Sequence, residues 1–196
     1  MQKFKRAWYQ GETVNTSIGQ GDVLVTPMQV AKNTAQIAAG KAITPHFLKS
    51  IDGKPVEFAP AELFTPKEKA QLPLVRRGMY EVGNNPDGGT AYKLIHTAVV
   101  PLAVKTGTAQ VVGISQTTKK RMKEADMDYF HRSHAWMTSF GPYDKPQYAV
   151  TVLVEHGGGG GSAAGPVIMQ IYEKLVQMGY IDANATTNKD SVKKTK

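Results

Sequence analysis

The chain has 196 residues, of which 41% are hydrophobic and 20% are charged, a composition typical of a folded domain rather than a disordered chain. It contains no cysteine, which excludes disulfide scaffolds, thiolate nucleophiles and cysteine-ligated metal centres. The formal net charge of +8 permits an anionic partner but does not bear on the fold.

The first element predicted in chain order is a helix at residues 27–39. Thr26 stands at the N-cap position, Pro27 follows as the first helical residue, and Gln29 lies three residues after the cap, which completes a capping box. Apolar residues then recur at helical spacing until Gly40, which predicts the end of the helix.

A second capping box at residues 65–68 predicts another helix. We expect Pro73 to interrupt it, because proline cannot donate the backbone hydrogen bond that continues a helix. A further helical turn or two is expected to run to Val82, ahead of Gly83. The composition of residues 84–89 predicts a loop.

After this loop the pattern changes to one typical of β-strands. Residues 97–104 are rich in β-branched and apolar side chains, so we expect a strand that enters the motif Lys105-Thr106-Gly107-Thr108. Residues 134–140 and 147–155 predict two further strands. The short link between them at residues 143–146 favours a hairpin, and therefore an antiparallel pair.

The last part of the chain is predicted to be a turn, a helix and a tail. The glycines at 157–161 indicate a flexible turn, and a helix is expected after Gly165-Pro166 that ends at Gly179. Residues 182–196 are polar and rich in lysine, so a disordered tail is expected there. Helices, then antiparallel strands, then a closing helix predict an α+β fold, in which helices cover a mostly antiparallel sheet.

The motif Lys105-Thr106-Gly107-Thr108 carries the sharpest chemical signal. A glycine inside a strand often marks the place where a ligand approaches the backbone closely. Here Gly107 lies between two hydroxyl groups and follows a lysine. Lys105 as the charge and Thr106 and Thr108 as hydroxyl donors would together hold a carboxylate. A surface strand with a chance triplet is the alternative.

Several short blocks occur along the chain in a characteristic order. They are Ser17-Ile18-Gly19-Gln20-Gly21, then Thr26-Pro27 with Gln29, Gly88-Gly89-Thr90-Ala91, Lys105-Thr106-Gly107-Thr108-Ala109, His134-Ala135-Trp136 and Glu155-His156-Gly157-Gly158. In kind and order these blocks resemble those of class B penicillin-binding proteins of the elongation type. The Lys-Thr-Gly triplet is part of the signature that penicillin-binding proteins share with serine β-lactamases. The resemblance covers about residues 8–180.

The resemblance implies a transpeptidase fold and a D,D-transpeptidase activity that cross-links peptidoglycan stem peptides through a serine acyl-enzyme. β-Lactams would acylate the same serine. No metal and no cofactor are implied. Lys105 would set the electrostatics around the serine, and Thr106 and Thr108 would bind the terminal carboxylate of the substrate. The Thr108 N–H would be an oxyanion-hole donor, and Gly107 and Ala109 would complete the substrate-binding strand.

Two of the family's three motifs are missing from the chain. Its one Ser-x-x-Lys string is Ser191-Val192-Lys193-Lys194, which falls in the predicted tail, and Ser-x-Asn does not occur. We therefore expect residues 1–181 to be the C-terminal part of a transpeptidase domain, with the serine on an upstream segment. The chain alone would then be inactive. It would also be unstable or aggregation-prone, because an apolar sheet edge would be open. A non-catalytic homologue or binding module that retains the cleft wall is the alternative.

The remaining candidates favour simpler interpretations. The five histidines form no convincing metal-ligand set, and Trp136 is expected in the core or in the wall of a cleft. The basic run at 119–123 is followed at once by acidic residues, which indicates a solvated insertion between two strands rather than a nucleic-acid site. By the resemblance, this insertion lies beside the active-site cleft, and the alternative that it gates access stays open.

Partners and location follow from the resemblance alone. It implies the upstream half of the same protein, the peptidoglycan stem peptide and β-lactams as partners, together with rod-shape scaffold proteins and a glycan polymerase. It also implies the periplasmic side of a bacterial inner membrane, with the anchor outside this chain. The sequence itself has no run of 18 apolar residues, and residues 1–8 do not have the pattern of a signal peptide.

Overall fold

The computed structural model describes residues 7–21, 23–58, 61–113 and 122–182. The helices within these ranges are Gln10–Ser17 (α1), Pro27–Ala39 (α2), Pro66–Asn84 (α3), Tyr92–Ile95 (α4) and Gly160–Gln177 (α5). The strands are Ser50–Ile51 (β1), Lys54–Pro55 (β2), Ala103–Ala109 (β3), His134–Gly141 (β4) and Tyr148–Val154 (β5). In these ranges no helix combines the length and the apolar character needed to cross a bilayer.

The central element is an antiparallel sheet in which β4 lies between β3 and β5. Lys105 is paired with Thr138 and Gly107 with Trp136 across β3 and β4. The predicted hairpin of the last two strands is present, and Phe140 of β4 pairs with Ala149 of β5. Helices flank this sheet, which confirms the predicted α+β class with a mostly antiparallel sheet.

One face of the sheet, here called the closed face, is covered by α5 and α4. Val104 and Met137 point to this side and lie in one cluster with Ile95, Ile168 and Tyr172. Each of these side chains is at most 2% exposed. Complete burial of so many apolar side chains is the main stabilising contribution that this part of the chain can make.

On the other face, here called the open face, α2 lies over β4 and β5, and Met79 of α3 packs with Ala103 and Phe140 at the start of β3. Helix α2 begins and ends as predicted: the Thr26 hydroxyl accepts the Gln29 N–H at 3.2 Å, and Gly40 adopts a left-handed conformation. Beneath the helix, the Thr138 hydroxyl lies 2.7 Å from those of both Thr34 and Thr151. These polar contacts join α2 to the sheet beside the apolar cluster that Ala38 forms with Phe140.

The predicted break at Pro73 is wrong, because α3 runs through it as one helix. Its two capping-box bonds are present at the start, where Thr65 N–H donates to the Glu68 carboxylate and the Thr65 hydroxyl accepts the Glu68 N–H. Pro73 itself is exposed, whereas Leu72 and Met79 are buried. The tertiary contacts of the buried residues outweigh the loss of one backbone hydrogen bond.

Two other predicted boundaries are also wrong. Strand β3 begins at Ala103 rather than at 97, because Val100 and Leu102 are buried in the core without forming a strand. Helix α5 begins at Gly160, so the last two of the five glycines are helical and Pro166 lies inside the helix. The early start has a physical cause in the close contact between Gly160 and the sheet, which is described below.

Helix α1 was not predicted. It has no buried residue, so its sequence lacks the apolar stripe from which a helix is recognised. Apart from residue 182, the expected polar tail lies outside the described residues, as do residues 119–121 of the basic run. The acidic end of that run is described, and it contains the short 3₁₀ helix Glu124–Asp126.

Candidate active site

The side of β3 that faces away from β4 has no strand partner among the described residues. Helix α3 lies against the start of β3, where Gly83 approaches Val104. From Lys105 to Ala109 no strand of the described ranges pairs with this side, which is here called the free edge. The Lys105 ammonium donates to the Thr106 carbonyl at 2.6 Å on this edge.

Thr108 presents its backbone polar groups to the same edge. Its carbonyl accepts a hydrogen bond from the Gln20 side-chain amide at 2.8 Å. In an antiparallel ladder, the N–H and C=O of one residue point to the same side. The Thr108 N–H therefore also faces the free edge, where it is available to a ligand.

The free edge forms one wall of a cavity of about 470 Å³. All five residues predicted to bind substrate, Lys105, Thr106, Gly107, Thr108 and Ala109, line this cavity. Residues 18–20 and 23–25 also line the cavity and add apolar side chains. Trp136 of β4 also lines the cavity, which is one of the two positions that the sequence predicted for it.

The side chains of the motif do not all lie on one face of the sheet. Alternation along β3 places Lys105 and Gly107 on the open face, opposite Thr138 and Trp136. Thr108 points to the other face, where its hydroxyl accepts the Gly160 N–H at 3.4 Å. A ligand at the free edge would therefore meet the lysine on one side and the threonines on the other.

Two glycines allow the close packing behind the site. A Cβ on Gly107 would lie 3.3 Å from the Cβ of Trp136, so this position leaves little room for a side chain. A Cβ on Gly160 would lie 2.1 Å from the Gly107 carbonyl oxygen and 2.5 Å from that of Trp136. Helix α5 can therefore begin in direct contact with the backbone of β3 and β4 only because residue 160 is glycine.

A group of rings lies near Ala109, the last residue of β3, which is paired with His134 of β4. The backbone N–H of His156 donates to His134 Nδ1 at 2.9 Å, and His134 lines the cavity. The exposed rings of Tyr129 and Phe130 lie 5.1 and 5.6 Å from the His156 ring. Among the described residues, no three side chains of metal-ligand type converge here or elsewhere.

Sequence reasoning missed the contribution of Gln20 and of the apolar residues 23–25. Gln20 entered only as part of a motif, with no role assigned to it. The sequence signal was the pair of glycines on either side of Gln20. In the structure both adopt positive φ angles, 75° at Gly19 and 91° at Gly21. Such a pair indicates a sharp excursion of the backbone, but it does not reveal which strand the side chain reaches.

Comparison with known proteins assigns this arrangement to a family. The family model described as "Penicillin binding protein transpeptidase domain" matches residues 2–173. The chain belongs to this family. The resemblance found in the sequence is thereby confirmed. The Lys-Thr-Gly strand of this penicillin-binding protein domain lies on a cavity.

The relatives are penicillin-binding proteins of the predicted type. The peptidoglycan D,D-transpeptidase MrdA of Haemophilus influenzae is 38% identical over 177 residues, which cover 87% of this chain and 27% of the relative. Penicillin-binding protein 2 of Helicobacter pylori, solved in complex with MreC, is 44% identical with a TM-score of 0.76. That match covers 92% of this chain and 30% of the other.

A more distant structure shows an acylated state. Penicillin-binding protein A of M. tuberculosis, solved as a penicillin G acyl-enzyme complex, is 28% identical with a TM-score of 0.56, and the match covers 82% of this chain and 34% of the other. The chain thus spans about a third or less of each of these relatives. The predicted fold of the penicillin-binding protein family is confirmed over the described residues.

Proposed function

We propose that this chain supplies the Lys-Thr-Gly wall of a peptidoglycan D,D-transpeptidase that cross-links stem peptides through a serine acyl-enzyme. The observation that carries the proposal is the position of Lys105–Thr108 on the free edge of β3, along the wall of a cavity. Support comes from the Haemophilus influenzae relative, which is named a peptidoglycan D,D-transpeptidase.

In this proposal each residue of the motif has a separate task. The Thr108 N–H, which faces the free edge, stabilises the negative charge that develops on the carbonyl oxygen under attack. Lys105 contributes positive charge to the site, and the hydroxyls of Thr106 and Thr108 bind the terminal carboxylate of the stem peptide. Gly107 and Ala109 let the substrate lie close to the strand.

The proposal assigns the nucleophile to an upstream segment that carries Ser-x-x-Lys and Ser-x-Asn. Support comes from the absence of both motifs ahead of Lys105 in this sequence and from the 27% of the MrdA relative that the chain spans. Acylation of that serine by a β-lactam is part of the proposal, because the M. tuberculosis relative forms a penicillin G acyl-enzyme.

We extend the proposal to partners and location. A scaffold protein of the rod-shape machinery is a partner, in keeping with the Helicobacter pylori relative that was solved with MreC. A glycan polymerase supplies the strands to be cross-linked. The domain works on the periplasmic side of the inner membrane, where peptidoglycan is assembled.

A labelling experiment tests the division of labour between this chain and the upstream segment. The 196-residue chain and the full-length polypeptide are each incubated with a fluorescent penicillin and separated under denaturing conditions. We expect a stoichiometric covalent adduct on the full-length polypeptide and none on the chain. An adduct on the chain would refute the upstream nucleophile, and no adduct on either would favour a non-catalytic homologue.

A substitution in the full-length polypeptide tests the role of the motif. Lys105→Ala removes the positive charge at the free edge, so we expect the rate constant of acylation to fall by roughly 100-fold, the size of effect seen when one electrostatic stabiliser is lost. Lys145→Ala, at an exposed position between β4 and β5, is the matched control and should leave the rate unchanged. Equal rates for the two variants would contradict the proposed role of Lys105.

A further inference from the structure

We propose that Gln20 is a positioning residue of this site, whose side-chain amide holds Thr108 in the orientation that aims its N–H at the reacting carbonyl. The inference rests on the proposed function, because it takes Thr108 to be the oxyanion donor. It adds a residue from the segment before α2 to a site otherwise built on β3.

The contact between the two residues joins distant parts of the chain. The Gln20 Nε2 atom donates to the Thr108 carbonyl oxygen at 2.8 Å across a separation of 88 residues. Gln20 is half-buried and lines the cavity beside the motif. A partly buried amide that meets a carbonyl at this distance makes a hydrogen bond of ordinary strength, well placed to fix one peptide group.

Thr108 needs such a restraint because the ladder with β4 does not hold its polar groups. It is the last residue but one of β3, and Gly107 before it has the conformational freedom of a residue without Cβ. Two contacts from outside the ladder hold it. Gln20 holds the carbonyl, and the Gly160 N–H donates to the side-chain hydroxyl at 3.4 Å.

Gln20 is itself held in place by the end of α1. Its backbone N–H donates to the Asn15 carbonyl at 2.9 Å, and the Gly19 N–H donates to the Thr16 carbonyl at 2.9 Å. The positive φ angles of Gly19 and Gly21 turn the backbone sharply on either side of it. Since α1 has no buried residue, we infer that its contribution is to present Gln20 to β3 rather than to build the core.

The proposed restraint acts on the chemical step rather than on the first encounter with the ligand. When the serine oxygen bonds to the carbonyl carbon of a β-lactam, the C=O electron pair moves onto the oxygen, which the Thr108 N–H stabilises. The lactam C–N bond then breaks, and the proton from the serine ends on the departing nitrogen. A donor that is 1 Å out of place stabilises this oxygen less, even if the ligand still binds.

The test uses the full-length polypeptide with penicillin G, and rapid kinetics separate the dissociation constant from the acylation rate constant. Gln20→Ala removes the amide, and Gln20→Glu keeps its shape but replaces the donor with an acceptor. We expect each variant to lower the acylation rate constant by roughly tenfold, with the dissociation constant within twofold of the parent value. Gln10→Ala, at an exposed position of α1, should behave as the parent.

The outcomes separate the inference from the proposed function. A parent protein that penicillin G does not acylate would overturn the proposed function, and the inference with it. An acylated parent with an unchanged rate constant in both Gln20 variants would overturn the inference alone. A matching loss in Gln10→Ala would also overturn it, because the effect would then belong to α1 as a whole. Misfolded molecules lower the amplitude of labelling rather than its rate constant, so partial unfolding does not imitate the expected result.

Discussion

The two faces of the same three-stranded sheet are covered in different ways. On the closed face, α5 buries a continuous apolar cluster in which Met137 and Ile168 have no exposed surface. On the open face, α2 covers β4 and β5 through hydroxyl contacts and a smaller apolar cluster around Phe140, and β3 from Lys105 onwards lies beside a cavity lined by Leu24, which is 74% exposed. The motif of the proposed active site lies on β3, at the boundary between the closed face and the cavity.

This difference shows how one strand can be both rigid and accessible. The closed face fixes the position of β3 through Val104 and through the contact of Gly160 with the backbone. The free edge and the open face can then remain exposed to a ligand without loss of order in the strand. A site built in this way takes its precision from the apolar packing behind β3, where Val104 and Met137 are buried.

The largest expected effect comes from Gly160→Ala, which would break the closed face at its contact with β3 and β4. The added Cβ would lie 2.1 Å from a backbone oxygen, so the helix and the sheet must separate. We expect a loss of about 3 kcal/mol or more in the free energy of unfolding of the full-length polypeptide. Thermal denaturation measures it.

Gly165→Ala is the matched control for that change. Its Cβ would meet its nearest neighbours at 3.6 Å, an ordinary contact, in the same helix. Alanine favours a helix over glycine by up to about 1 kcal/mol, so this variant should be neutral or slightly more stable. Equal losses for the two variants would mean that α5 tolerates no change anywhere, and the special role of the contact at residue 160 would be wrong.

The same change, leucine to alanine, at one position on each face compares how much each position contributes to stability. Leu102→Ala empties a position of the closed-face cluster that is 1% exposed, so we expect a loss of about 2–5 kcal/mol. Leu24→Ala on the cavity wall should cost less than about 1 kcal/mol. Denaturation of both variants of the full-length polypeptide measures the difference. A loss at Leu24 as large as that at Leu102 would show that another segment covers the open face.

The smallest expected effect comes from removing the hydroxyl group of Tyr172, a polar group within the closed face. Tyr172 O–H donates to the Tyr148 carbonyl at 3.2 Å and lies 3.3 Å from the Ser139 hydroxyl. Tyr172→Phe should therefore cost about 1 kcal/mol, as thermal denaturation would show. No change in stability would mean that packing alone holds this ring.

The same residue gives the closed face a dependence on alkaline pH. Burial raises the pKa of the Tyr172 phenol above its ordinary value of 10.0. Above that pH the phenol ionises in the unfolded chain but not in the folded one. The stability that is present below pH 10 is therefore lost as the pH rises above it, and this loss should be smaller in Tyr172→Phe.

The elements that the sequence predicted well are those specified by local signals. Helix α2 has its cap, its proline and its terminal glycine within one short segment, and β4 and β5 are joined by a short link. The start of β3 was missed because Val100 and Leu102 are buried in the core although they lie outside the strand, and their apolar side chains resemble those of strand residues. The start of α5 was missed because its first residues are helical through contact with the sheet rather than through propensity.

The same distinction applies to the site. The motif from Lys105 to Thr108 is contiguous in sequence, so its residue types alone predicted a ligand site on a strand. The contact from Gln20 joins residues that are 88 positions apart, and no periodicity or composition relates them. Alternation along the predicted strand already separates Lys105 from Thr108, but only the folded structure shows which of the two faces α5 covers.

The hydroxyl contacts under α2 have a direction. Thr34 donates its only hydroxyl hydrogen to the Val30 carbonyl at 2.9 Å, so Thr138 must donate to Thr34, and Thr151 must in turn donate to Thr138. The three O–H dipoles therefore add instead of cancelling, and they point from β5 through β4 to the helix. Since Thr138 is the cross-strand partner of Lys105, a small aligned dipole crosses the sheet beside the proposed catalytic lysine.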